Sequence, residues 1–336
     1  MASILITGAS GFIGSFLVEE ALRQGMETWA CVRASSSRRY LKDSRIGFFE
    51  TDLGDTQALR VRLLRHRQEH GAFDYVVHCA GVTKCADKRD FERVNCGQTT
   101  ALAMLLHELD MVPKRFVYIS TLSVFGPQHE RDYAPIRDTD PPRPNTAYGL
   151  SKLHAEESLG RMDWLPWVVL RPTGVYGPRE RDYYLMVKSV ARHVDVAAGF
   201  RRQDLTFVYV LDVVQAVFRA LRKEGVVHRA YFLTDGHVYS SRAYTDLVRR
   251  ELGGPWVVRL TLPLWLLRAV SCVAGGWAAL WRKGSTLNPD KYRIMKQRNW
   301  RCDIGPAVRE LGYAPRYDLA RGVAESVAWY RQEGWL

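Results

Sequence analysis

The run Thr7-Gly8-Ala9-Ser10-Gly11-Phe12-Ile13-Gly14 constrains this chain more than any other segment. A short apolar stretch, residues 3–7, leads into it, and an amphipathic stretch begins at Phe12, so the three glycines fall at a strand-to-helix turn. Glycine there lets the backbone bend tightly, and lets main-chain N–H groups and the positive end of a helix approach a pyrophosphate. The spacing is GxxGxxG rather than GxGxxG. A turn that only packs a helix on a strand would use the same residues, so the rest of the chain has to agree.

Runs rich in β-branched and aromatic residues recur at 28–33, 47–51, 75–79, 116–120 and 168–171, flanked by Gly, Asp or Ser. They are apolar throughout, as strands buried on both faces of a parallel sheet are. Helical patterns at 12–24, 56–69, 95–109 and 147–162 alternate with them. The repetition predicts an α/β fold, a Rossmann-type doubly wound parallel sheet with ligands at the carboxyl ends of its strands. Past Pro172 the pattern loosens, returns to a strand and helix over 206–223, and then mixes helix and loop. Residues 1–172 plus 206–230 are read as a dinucleotide-binding domain, and 173–205 plus 231–336 as a smaller, mainly C-terminal substrate lobe. With 47% hydrophobic and 11% aromatic residues in 336, the chain can fill such a core and is not a disordered one.

Dinucleotide contacts can be assigned along these elements. Gly8, Ser10, Gly11, Phe12, Ile13 and Gly14 form the pyrophosphate turn. The second strand ends at Arg33, where an acidic residue would bind the adenosine ribose hydroxyls. Arg33, with Ser35, Ser36, Arg38 and Arg39, instead supplies donors suited to a 2′-phosphate, so NADP(H) is expected ahead of NAD(H). Asp52 and Leu53 follow the third strand, placed to meet the adenine. Cys79, Ala80 and Gly81 close the fourth, and Asn95, opening the next helix, is placed to serve the dinucleotide or simply to cap that helix. Tyr148 and Lys152 stand four positions apart on a helix and so project from one face. A free tyrosine has a pKa near 10, and a neighbouring ammonium together with the positive charge of a bound nicotinamide would favour phenolate, which makes Tyr148 a candidate general acid or base.

In order from Gly8 to Asp212, the segments TGASGFIG, Asp52-Leu53, HCAG, Asn95, STLSVFG, YGLSK, RPTGVYGP and FVYVLDV resemble the extended short-chain dehydrogenase/reductase family, also called NAD-dependent epimerase/dehydratases. The pattern is similar to its hydroxysteroid/sterol dehydrogenase and dihydroflavonol-reductase-like members. The resemblance implies an enzyme in which Thr121, Tyr148 and Lys152 are catalytic, and Ser120, Pro172 and Val175 lie along the cofactor. It also implies that Thr83, Ser123 and Tyr176 face the substrate.

A 4,6-dehydratase usually has an acid after the catalytic Ser/Thr, and Leu122 stands there. Arg179, Arg181, Lys188, Arg201 and Arg202 would suit the diphosphate of a sugar-nucleotide epimerase substrate, or simply form a solvated face. The segment 263–281 is apolar with Arg268 its only charge, which favours a hydrophobic, sterol- or steroid-like substrate undergoing hydroxyl/ketone interconversion. A sugar-nucleotide epimerase is the alternative. A noncatalytic dinucleotide-binding regulator is a third reading, although such proteins commonly lose the tyrosine or lysine that this chain keeps.

The formal charge of +12 calls for an anionic partner. Its basic residues are scattered and no nucleic-acid motif accompanies them, so no nucleic acid is expected. Six cysteines without a CxxC pair or metal-like spacing read as reduced, packed thiols, with no metal, in a cytoplasmic protein lacking a secretory signal. Segment 263–281 is followed by Arg282, Lys283, Lys291, Arg293, Lys296 and Arg298. Arg268 and Gly275-Gly276 argue against spanning a bilayer. That leaves peripheral membrane contact, a helix buried in the substrate lobe, or a homodimer interface.

Overall fold

The computed structural model describes residues 1–85, 87–280 and 289–336. From the N-terminus, β1 (Ser3–Thr7) and α1 (Phe12–Arg23) flank the glycine turn, followed by β2 (Glu27–Val32), β3 (Gly47–Glu50), α2 (Thr56–His70) and β4 (Tyr75–His78). A single turn α3 (Arg89–Phe91), a π-helical turn (Glu92–Gly97) and α4 (Gln98–Glu108) make one continuous helical stretch. Then come β5 (Arg115–Ile119), α5 (Ala147–Gly160) and β6 (Trp167–Pro172). The second half holds β7 (Gly174–Tyr176), α6 (Asp182–Ala191), β8 (Val194–Ala198), β9 (Phe207–Tyr209), α7 (Val210–Arg222) and β10 (Arg229–Leu233). It ends with α8 (Ala243–Glu251), β11 (Val258–Leu262), α9 (Leu264–Leu280), α10 (Pro289–Lys296) and α11 (Leu319–Gln332).

Seven strands form one sheet in the order β10-β6-β5-β4-β1-β2-β3, every neighbouring pair parallel. The order reverses between β1 and β4, which opens a crevice at their carboxyl ends. Successive residues of each strand serve opposite faces. Ile4, Ile6, Val117 and Val168 pack under α1 and α7 with Leu17, Val18, Val213 and Val217. Leu5, Val76, Phe116 and Tyr118 pack under α2, α4 and α5 with Leu59, Leu63, Leu102, Leu106 and Leu159. Two-sided burial explains why these strands read as unbroken apolar runs. The six expected strands all lie in this sheet, each end within one residue of its expected place.

The seventh strand, β10, was not expected. It opens with the exposed Arg229 and pairs only with β6 at the sheet edge, so its pattern is short and mixed; it runs across position 230. The loose region after Pro172 also contains two small parallel pairs, β7 with β9 and β8 with β11. A third core of Tyr176, Phe207, Tyr209, Tyr244, Val248, Val323 and Tyr330 fills this part. The helix expected to open at Asn95 begins instead at Arg89, and Asn95 sits inside the π turn. All six cysteines are unpaired, but Cys272 is exposed rather than packed. Trp281, Arg282 and Lys283 lie outside the described residues. Among the described residues no helix is long and apolar enough to cross a membrane.

Candidate active site

The glycine turn works by close approach. Gly8 has φ +66, and a Cβ there would lie 2.8 Å from the Ala80 nitrogen. A Cβ on Gly14 would lie 2.1 Å from the Gly8 carbonyl oxygen, so α1 can seat on the turn only without side chains. Gly11 caps α1 and offers its first amides no side-chain acceptor. A cradle stripped of side chains at an uncapped helix N-terminus suits a pyrophosphate, with Ser10, Phe12 and Ile13 supplying its backbone.

Past β2, Arg33 donates its amide to Ser36 Oγ at 3.1 Å and accepts the Ser36 amide at 2.9 Å, which forms a tight turn. Two arginines expected to join it are already engaged. Arg38 pairs with Glu50 at 2.6 Å over the Phe48 ring, and Arg39 pairs with Glu333 at 3.1 Å. Of these three arginines, Arg33 is the one that makes no ion pair among the described residues. Asp52 is exposed and accepts the Gly54 amide at 2.8 Å, while Leu53 is buried in the core below α2.

His78 ties the ends of β1 and β4 to the helical stretch. Thr99 Oγ1 donates to the Asn95 carbonyl at 2.7 Å, so it accepts from His78 Nε2 at 3.0 Å. His78 Nδ1 then accepts from Thr7 Oγ1 at 2.8 Å, and Thr7 Oγ1 accepts the Ala80 amide at 3.2 Å. Burial pushes the imidazole down to about 3, so it stays neutral in this chain of bonds. Asn95 is no cap. Its Oδ1 accepts the Val82 amide at 2.8 Å, and its Nδ2 donates to the Val82 carbonyl at 3.1 Å and to Ser151 Oγ at 3.0 Å. Cys79 is pushed up to about 11 by burial and is inert as a thiolate. A Cβ on Gly81 would meet Asn95 Oδ1 at 2.9 Å and Lys152 Nζ at 3.3 Å, so Asn95, Gly81 and Lys152 converge on one wall.

Tyr148 and Lys152 share one face of α5, as expected. Burial pushes the phenol up to about 12, and the Thr121 hydroxyl offsets only part of that. Lys152 Nζ donates to the Ile119 carbonyl at 2.8 Å, stands 4.6 Å over the Tyr118 ring, and is pushed down to about 8 by burial. One turn farther on is a group that sequence reasoning missed. Ser120 Oγ bonds to Glu156, and Arg171 forks onto Glu156 at 3.0 and 2.5 Å. The spacing Tyr148, Lys152, Glu156 was the available signal.

The remaining expected residues divide. Thr121 Oγ1 accepts the Ser123 amide at 3.2 Å, which keeps Ser123 beside the Thr121 hydroxyl, and Thr83 is exposed on the loop after β4. Pro172 ends β6, and Val175 packs between two cores. Tyr176 cannot face a substrate. It is fully buried against Tyr209 and Tyr244 and donates to the Asp318 carbonyl at 3.2 Å, because β7 pairs with β9 and turns it inward. Arg179 is likewise committed, to Ser15 at 2.9 Å and Glu19 at 2.6 Å, between the Phe16 and Tyr40 rings. Arg202 is held by Asp204. Among the described residues no group of His, Cys, Asp or Glu could hold a metal ion.

The chain is similar to known proteins along most of its length. The profile of the NAD dependent epimerase/dehydratase family matches residues 4–233. A ceramide reductase from Caulobacter vibrioides is 24% identical over 99% of this chain and 96% of its own length. A UDP-glucose 4-epimerase from Vibrio cholerae is 24% identical over 89% and 90%. The crystal structure of UDP-glucuronic acid 4-epimerase from Bacillus cereus, in complex with NAD, superposes with a TM-score of 0.75 at 20% identity, covering 98% of this chain and 99% of that one.

Proposed function

The chain belongs to the NAD dependent epimerase/dehydratase family, an enzyme of the extended short-chain type, and on that premise we propose that it moves hydride between a nicotinamide and a carbinol carbon, with Tyr148 carrying the proton. The observation that supports this most is Tyr148, with the Thr121 hydroxyl acting on its phenol, four positions before the buried Lys152 on α5, beside a glycine cradle that a single Cβ would fill.

A bound nicotinamide dinucleotide supplies hydride transfer. Gly8, Gly11 and Gly14 would hold its pyrophosphate, Asp52 the adenine side, and Arg33 a 2′-phosphate. Tyr148, as the neutral phenol, gives its proton to a nascent alkoxide and becomes phenolate; in the reverse direction the phenolate takes the proton of the alcohol as hydride leaves. Thr121 orients the substrate oxygen toward that phenol. Lys152, partly charged near neutral pH, supplies the local positive potential.

Arg33 supports NADP(H) ahead of NAD(H), whereas the NAD in the Bacillus cereus enzyme supports the reverse. Among substrates, the epimerase relatives support a sugar nucleotide ahead of a sterol-like molecule. Arg181 and Lys188, which make no ion pair among the described residues, would meet its diphosphate. A second reading, a lipid-like alcohol or ketone, is supported by the ceramide reductase likeness, which runs through the C-terminal third. The test is a turnover screen with both dinucleotides against UDP-sugars and against ketones of long-chain lipids and sterols. Turnover of neither class, by protein that binds dinucleotide, would overturn the catalytic reading.

A further inference from the structure

The β8–β11 pair is built inside out. Its register sets Val194, Val196 and Ala198 opposite Val258, Leu260 and Leu262 on one face, with Asp195 and Arg259 on the other. On the polar face Asp195 turns into the protein, while Arg259 stays at the rim, half exposed. Asp195 is buried and accepts from Arg242 at 2.5 Å, Arg242 also donates to Thr261 Oγ1 at 2.9 Å, and Arg259 pairs with Asp246 of α8. The apolar face points out, leaving Val196, Val258 and Leu260 each more than 40% exposed. At one end Trp256 stacks on His193 at 4.3 Å and is 66% exposed. At the other, Leu264 at the start of α9 packs on Gly199, next to Phe200 (77% exposed) and Trp265 (72%). Single exposed apolar residues are ordinary, but an outward sheet face bounded by three exposed large aromatics marks an interaction surface.

We propose that this face rests on the surface of an anionic lipid membrane. Charge chooses the occupant. Between Glu251 and Asp290 the chain has no acidic residue. Arg201 and Arg268 stand exposed beside the patch without an ion pair among the described residues. In a second copy of the chain docked two-fold on the same face, these cations would confront each other, whereas anionic headgroups neutralise them. Tryptophan suits the headgroup boundary, with an apolar body and a polar N–H. The chain lies on the bilayer rather than through it, since no described helix is long and apolar enough to cross. The proposal stands apart from the reaction assigned to Tyr148, because its readout is lipid binding alone.

The test is flotation of the intact protein with vesicles of phosphatidylcholine, alone or mixed with phosphatidylglycerol. Wild type should float with the mixed vesicles, and both Phe200→Ser/Trp265→Ser and Arg201→Glu/Arg268→Glu should weaken binding by about tenfold or more. Should the serine pair fail to fold, as thermal melting would reveal, the single Phe200→Ser variant makes the same comparison. No flotation of the wild type overturns the proposal. So does undiminished binding of the serine variant, which would reduce the attraction to overall charge. A wild-type dimer in lipid-free sedimentation that the serine variant disperses would give the face to a second copy instead.

Discussion

Asp290 holds the first turn of the helix that carries Tyr148, its Oδ2 accepting the Ala147 amide at 2.9 Å from 143 positions along the chain. Thr146 accepts the Gly149 amide at 3.0 Å, so side chains bind two of the donors that α5 leaves free. The carboxylate also suits the positive end of the helix, and Arg293 at 2.9 Å and Lys88 at 3.9 Å steady it. Asp290→Ala should cost about 1 kcal/mol of stability, as lost helix caps do, and lower kcat several-fold by loosening Tyr148. Asp290→Asn keeps an accepting oxygen and should recover most of both. Melting curves and steady-state kinetics of the two variants decide, and an alanine variant with wild-type kcat would detach Asp290 from the site.

Tyr148→Phe should reduce turnover by on the order of a hundredfold or more, with dinucleotide affinity within a few-fold, because it removes only the transferable proton. Thr121→Ala should show a smaller loss of the same kind. Near-normal turnover in the phenylalanine variant would remove Tyr148 from the mechanism.

Lys152 makes activity and stability respond to pH in opposite directions. Burial pushes it from 10.5 to about 8, so its charge, and the activity that uses it, should fall as pH rises through about 8. Its contribution to folding is full above 10.5 and is lost as pH falls through about 8, because the fold disfavours the charged form. A kcat–pH profile and a Tm–pH profile of wild type beside Lys152→Met check this, the variant lacking both dependences.

Arg33→Asp should reverse the dinucleotide preference, since one charge-assisted phosphate contact contributes about 1.5–3 kcal/mol, more than tenfold in affinity. Fluorescence titration with NADPH and NADH measures it. Tighter NADH binding by the wild type would mean that another residue sets the preference.

Acid should unfold this protein early. Burial holds His78 near 3 and His66 near 4, both below the ordinary 6.5, so the stability tied to their neutral forms is present above 6.5 and lost as pH falls toward those values. His66 stacks on Phe73 at 4.0 Å with its Nδ1 unpartnered, so His66→Phe should flatten the decline of Tm between about pH 6.5 and 4. An unchanged slope would shift the cause to other groups.

What could be read from the sequence was local. The GxxGxxG turn and the Tyr148/Lys152 spacing are set within a few residues by helix and turn geometry, and both stand where expected. The short, mixed pattern that hid β10 is an edge effect, since a strand paired on one side only does not need an unbroken apolar run. Tyr176 looked like a site residue because of the run around it. What buries it is β9, whose pairing with β7 no pattern in either strand announces. Asp290 and the His78 bonds lie farther out of reach, joining segments tens of residues apart through tertiary placement alone.

The placement of β10 also sets a schedule for synthesis. The chain leaves the large sheet at Pro172 and returns to it only at Arg229, having laid down α6, α7 and three strands on the way. While the ribosome translates that interval, the outer edge of β6 has no partner, and its unpaired backbone beside Val168 and Leu170 is open to a neighbouring nascent chain. Neither half can therefore be released early as a finished unit, and a split protein would have to be cut beyond Leu233 to leave the seven-stranded sheet whole.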